Sequence, residues 1–211
     1  MRIDIAAGLT EMRSHWDSSD PQWRPGMRKY AFHLTMQQAP AVQQIAEDAH
    51  RALAGFEGLD PVETPWLHLT MTGLGATEQV TPAQLDAIGG LVFEHFATLK
   101  TPRVEFDHLR VEEEGVLLAA ERSDWLMQLN QVQRDAIDEV LGAREWRDFW
   151  PHVSLAYCSA PTEATAVKDA LGAVASGVPE KVEAVPTLTL MQLRRENHTY
   201  QWDVIREQAA G

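Results

Sequence analysis

Trp66-Leu67-His68-Leu69-Thr70-Met71 and Trp150-Pro151-His152-Val153-Ser154-Leu155-Ala156 are two short apolar stretches of similar build, their histidines 84 residues apart. Each carries a histidine followed, two positions on, by a hydroxyl residue, and each reads as a strand. In a strand, residues i and i+2 point to one face, about 6.6 Å apart along it. His68 with Thr70, and His152 with Ser154, therefore each present an imidazole beside a hydroxyl.

Working outward, the same order of elements surrounds both stretches. Before the first, residues 30–36 alternate as a strand, and Pro40 opens a helix with Val42, Ile45, Ala46, Ala49 and Leu53 on one face, stopped by Gly55. After it, Thr81-Pro82 supplies a cap and first-turn proline for a helix carrying Leu85, Ile88, Val92, Phe96 and Leu99. A strand follows over about 103–111. In the second half, 116–120 reads as a strand, and Leu126, Leu129, Val132, Ala136, Ile137 and Val140 form a helical stripe ended by Gly142. The strand at 152–157 leads to a helix from about Thr162, and 182–190 and 199–205 close the chain as strands.

Each half is strand–helix–strand–helix–strand, an internal duplication of pattern rather than of residue identity. The fold class expected is α+β: one bilobal, pseudo-twofold domain over 29–206, with lobes at about 29–111 and 115–206 and a central cleft between them. Residues 1–28 form an extension that the pattern does not place, with Trp16, Trp23 and a turn-rich Asp-Ser-Ser-Asp-Pro at 17–21. Residues 207–211 are a tail.

With 8 His and 21 Ser+Thr in 211 residues, about 0.8 His-x-Ser/Thr triplets are expected by chance. Three occur, the third being His33-Leu34-Thr35. Position separates them. His68 and His152 each occupy the central strand of a half, whereas His33 lies on an opening strand whose counterpart at 116–120 has no histidine. The duplication selects His68 with His152 and leaves His33 as the odd one out, on a strand that could border the same cleft. Two such pairs facing each other would surround one phosphate. An imidazole titrating near pH 6.5 can take a proton from water or give one to a leaving alkoxide, and hydroxyls can hold non-bridging oxygens.

Composition narrows the partner. Eighteen Lys+Arg against 31 Asp+Glu give a net charge of −13, which disfavours extended contact with a phosphate backbone. Basic residues cluster only as the pairs Arg28-Lys29 and Arg194-Arg195. A phosphate-bearing ligand is thus expected to be small or held at one local site. No apolar run of membrane-spanning length and no signal-peptide pattern is present. The single Cys158 forms no internal disulfide and has no activating partner in sequence. A soluble, cytoplasmic monomer is expected. Glu112-Glu113-Glu114 reads as a solvated turn, and Trp66, Trp146 and Trp150 as aromatics packed beside strands rather than base-stacking platforms. No His-x-x-x-His spacing supports a metal centre built on the histidines.

The two quoted motifs resemble the paired motifs of the 2H phosphoesterase superfamily, in particular its bacterial 2′-5′ RNA ligase-like branch, over about 29–206. The closing Leu193-Arg194-Arg195 and Tyr200-Gln201-Trp202-Asp203-Val204-Ile205 resemble the last hairpin of that branch. The resemblance implies a groove between two antiparallel sheets and hydrolysis of cyclic phosphodiesters without metal or cofactor, on 2′,3′-cyclic nucleotides, RNA ends or ADP-ribose 1″,2″-cyclic phosphate. It makes His68 and His152 the proton-transfer pair and Thr70 and Ser154 phosphate ligands. Ligase-like members often carry an arginine shortly after the second motif. Tyr157 stands there, able to hydrogen-bond or stack but without charge, which points away from RNA ligation.

Overall fold

The computed structural model describes residues 1–17, 23–24 and 26–210. Its strands are β1 (Arg2–Ile5), β2 (Glu11–Met12), β3 (Arg28–Thr35), β4 (Leu59–Pro61), β5 (His68–Ala76), β6 (Val104–Glu112), β7 (Gly115–Ala120), β8 (His152–Cys158), β9 (Thr162–Glu163), β10 (Val182–Ala184), β11 (Thr187–Glu196) and β12 (Thr199–Ala209). Its α-helices are α1 (Pro40–Leu53), α2 (Pro82–Thr98), α3 (Asp124–Leu141) and α4 (Ala164–Gly177). The helices begin where local chemistry allows. Pro40 needs no N–H partner at a first turn. Thr81 accepts from the Gln84 backbone N–H at 3.3 Å while the Gln84 side chain accepts from the Thr81 N–H at 3.0 Å, a reciprocal cap for α2. Glu163 caps α4 by accepting from the N–H groups of Thr165 and Ala166.

The strands run in the order β1-β6-β7-β8-β5-β3-β11-β12, and the two central ones meet at a single registered pair, Leu69 with Val153. The molecule is therefore two blocks joined at that pair, each with a four-strand path, the second also holding β4 against β8 and β10 against β6. One block is β5-β3-β11-β12, covered by α2 and α3; the other is β8-β7-β6-β1, covered by α1 and α4. Each sheet buries one apolar face against its helices, as a half-covered antiparallel sheet must.

The blocks are pseudosymmetric, but they are not the two sequence halves expected above. β11, from the second half, completes the first half's sheet by pairing with β3. β6, from the first half, pairs with β7. α3 packs on β5 and α1 on β8. Each half thus finishes the other's core, which makes the lobes inseparable.

Three further differences have local causes. The strand expected over 182–190 is broken at residues 185–186, because Pro186 has no N–H for a ladder. The last strand continues to Ala209 and takes up most of the expected tail. Residues 2–5 join the second block parallel to β6, in the place β12 occupies in the first, so the start of the chain is built into the fold. Of the turn-rich stretch at 17–21, residues 18–21 lie outside the described residues. Among the described residues no helix is long and apolar enough to cross a membrane.

Candidate active site

Leu69 and Val153 are fully buried and lie at the junction of the blocks. Their neighbours one position away point to the opposite, open face. That single register brings His68, Thr70, His152 and Ser154 to one cleft of about 710 Å³, lined also by Lys29, Tyr30, His33, Gly73, Glu112, Arg147, Trp150, Tyr157 and Tyr200. Both motif strands are irregular just beyond the hydroxyl residue. Opposite β3 the register shifts at Met71, and opposite β7 it shifts at Leu155. A bulge adds one residue and re-aims the side chains beyond it. Gly73 and Tyr157 consequently line the cleft, where strict alternation would have placed Thr72 and Ala156.

The two imidazoles are held alike. Nδ1 of His68 lies 2.8 Å from the Trp66 carbonyl oxygen, and Nδ1 of His152 lies 2.9 Å from that of Trp150. A carbonyl only accepts, so Nδ1–H is the donor in each ring and Nε2 is left for chemistry. Burial pushes the His68 pKa down to about 4, opposed by the bond to Trp66 and reinforced by the charge of His152. The His152 pKa is also lowered by burial, but the Trp150 carbonyl and the carboxylate of Glu112 pull it back up. Both rings are therefore held toward the neutral form.

His33, set aside by the duplication, is brought to this site. It pairs with Thr70 across the strands, and its ring stacks on His68 with centroids 4.3 Å apart and planes 6° from parallel. Burial first, then the charge of His68, holds its pKa well below the ordinary value. Trp202 stands edge-on to His68 at 5.3 Å and to Trp66 at 5.0 Å. With Ala31, Met191 and Leu193 it forms a small apolar cluster separate from the main core. The closing hairpin supplies this floor.

Tyr157 reaches the cleft with its ring already engaged. His15 stacks on it at 4.5 Å and 20°, and Trp16 and Tyr200 meet it edge-on. Burial raises its pKa, and the neighbouring Tyr200 adds to the effect. Its ring is thus committed to the N-terminal segment. His15 is tied in turn to Glu114 at 3.0 Å and to the Tyr200 hydroxyl at 2.9 Å. No sequence signal marked His15 or Trp16 as neighbours of the site; they arrive through the backbone bond from the His15 N–H to the Cys158 carbonyl.

The Glu112-Glu113-Glu114 run ends β6 and makes the turn to β7, with Glu113 exposed as expected. All three side chains border the cleft, where Glu112 pairs with Arg110, Glu113 with Arg13 at 3.0 Å and Glu114 with His15. Of the three tryptophans, Trp66 packs on Trp202, Trp146 donates to Asp138 at 2.9 Å, and Trp150 stays 38% exposed at the cleft edge beside His152. Cys158 is buried and its thiol, raised in pKa by burial, donates to the Ala160 carbonyl. Among the described residues no group of three or more His, Cys, Asp or Glu is placed to hold a metal ion.

Two sheets meeting at paired His-x-Thr/Ser strands, with both imidazoles tethered through Nδ1, define the two-histidine class of phosphoesterase folds. The chain belongs to the 2′-5′ RNA ligase superfamily, whose family model matches residues 51–197. Among curated proteins none matches the sequence. The fold is similar to that of TT0787 of Thermus thermophilus (TM-score 0.62, 18% identity, 86% of this chain and 97% of that one). It is also similar to E. coli LigT in apo form (TM-score 0.55, 20% identity, 87% and 97%) and to E. coli LigT complexed with 3′-AMP (TM-score 0.56, 19% identity, 87% and 98%). E. coli LigT is also known complexed with NADP+. At these identities the likeness is one of fold, and the proteins in it include binders of small nucleotides.

Proposed function

We propose that the protein is a cyclic phosphodiesterase that opens a small cyclic phosphodiester, such as a 2′,3′-cyclic nucleotide or ADP-ribose 1″,2″-cyclic phosphate, with His68 and His152 as the acid–base pair. The observation that carries this reading is the Leu69–Val153 register together with the two Nδ1–H tethers. Nε2 of one ring takes a proton from water as its oxygen attacks phosphorus. The ring bond from phosphorus to one ribose oxygen breaks, and the other ring, in its imidazolium form, gives its Nε2 proton to that oxygen, leaving a phosphomonoester. Thr70 and Ser154 hold non-bridging oxygens, and Tyr157 lines the cleft beside Ser154. Each proton transfer contributes about 10²–10⁴ in rate, and neither needs a metal or cofactor. The orientation of the bound ester decides which ring starts as base. The acidic wall at 112–114 disfavours a long polyanion such as RNA, which favours hydrolysis of a small ester over strand joining.

The test incubates the protein with both cyclic phosphates, with and without EDTA, beside His68→Ala and His152→Ala. Turnover that survives EDTA and falls at least about 100-fold in each variant is expected. Loss on chelation, or nucleotide binding with no turnover of any cyclic phosphate, contradicts the reading.

A further inference from the structure

The histidine at position 33 costs the fold something that packing does not repay. On the cleft side it stands between Thr70 of β5 and Thr189 of β11, stacked on His68 and edge-on to Trp202 at 6.0 Å. It is 1% exposed, and its Nδ1 is buried with no hydrogen-bond partner. The pseudosymmetric position, across from Ser154, is Leu117, so the architecture accepts an aliphatic side chain there without loss. A buried, unpaired ring nitrogen is unfavourable, and its presence on a cleft wall calls for a use of the other nitrogen.

We infer that His33 is a third phosphate-binding histidine, an Nε2–H donor to a non-bridging phosphoryl oxygen beside Thr70. A neutral imidazole carries one N–H. With Nδ1 sealed away from any acceptor, the proton is better placed on Nε2, the nitrogen left to face the cleft that His33 lines. Charging this ring is opposed by burial and by the stacked His68, so it donates without competing for the transferred proton. Leu117 offers nothing equivalent, and the bound phosphoryl group is therefore drawn toward the first block, against His68. This rests on the reading of the cleft as a phosphoester site, and deepens it by adding an asymmetric oxygen ligand.

The experiment reads His33 directly. ¹⁵N-labelled imidazole NMR of the full chain is recorded without and with inorganic phosphate and a nucleoside 3′-monophosphate, beside His33→Leu and His33→Gln. His33 is expected as the Nε2–H tautomer, protonating only well below the ordinary imidazole range, with its Nε2 resonance moving when either ligand is added. Phosphate affinity in His33→Leu should drop about 10- to 100-fold, the range for one hydrogen bond to a charged oxygen. His33→Gln, whose amide N–H reaches a similar place, should recover most of it. An Nδ1–H tautomer, a His33 resonance unmoved by both ligands, or wild-type affinity in His33→Leu overturns the inference. If His33→Leu fails to fold, the wild-type resonances alone decide. Should His33 respond to phosphate while no cyclic ester is turned over, the proposed activity fails and this inference stands.

Discussion

Lowering the pH from 7 to 4 is expected to cost this fold about 3 kcal/mol through His68 alone. In the unfolded chain its imidazole titrates near 6.5, and in the folded protein near 4 because burial disfavours the charged ring. Between those values the unfolded chain binds a proton that the folded protein does not, so acid favours unfolding. The stabilisation is whole above about pH 6.5, declines as pH falls through the window, and levels off below about 4. The distance between the two values, at about 1.4 kcal/mol per tenfold, sets the magnitude. His33 and His152, also lowered, act in the same direction. Carboxylates titrate over part of this range too, so the informative quantity is a difference between proteins. Urea unfolding of the wild type and His68→Gln, at pH 7 and pH 4, should show the wild type losing about 3 kcal/mol more than the variant. With a slope of about 2 kcal/mol/M, that is a midpoint displacement of about 1.5 M. Parallel losses in the two proteins would refute the reasoning, because they would mean that His68 is charged as readily in the fold as out of it.

Other consequences arise from the same geometry. Thr70→Val and Ser154→Ala should each lower kcat on a cyclic phosphate by about 10- to 100-fold with thermal stability little changed, measured by steady-state kinetics beside a melting curve. Asn130 of α3 donates to the Met71 carbonyl at 3.0 Å and to the Thr72 hydroxyl at 3.2 Å, behind the first motif. Asn130→Ala should destabilise by about 1–3 kcal/mol in urea. At Gly115, opposite Tyr157, an added Cβ would lie 2.5 Å from the Ala156 carbonyl oxygen. Gly115→Ala should therefore force β7 and β8 apart, costing about 1–3 kcal/mol and lowering turnover by moving Ser154; unchanged melting would show that the strands tolerate the methyl group.

What the chain determined by itself is local. Alternation over 68–70 and 152–154 places imidazole and hydroxyl on one face of each strand, since side-chain direction in a strand depends only on parity. Pro40, the Thr81–Gln84 cap and Gly142 mark helix ends because backbone groups there are satisfied by near neighbours. The order of elements came from these, and with it the pairing of His68 with His152.

The partner of each strand was not legible, because strand pairing is a contact between distant residues that any strand of matching polarity could make. That β11 completes the sheet of β3, so that the halves exchange strands, is decided by which apolar faces can be buried together. The bulges at Met71 and Leu155 reverse parity after each motif, and only the paired sheet reveals them. They carry Tyr157 to the cleft, where residues 15–16, silent in the pattern, are already stacked on it. His33 carries the same lesson: in sequence it is the one triplet without a twin, and the β3–β5 register sets it against His68. Parity is a property of a strand alone; proximity belongs to the fold.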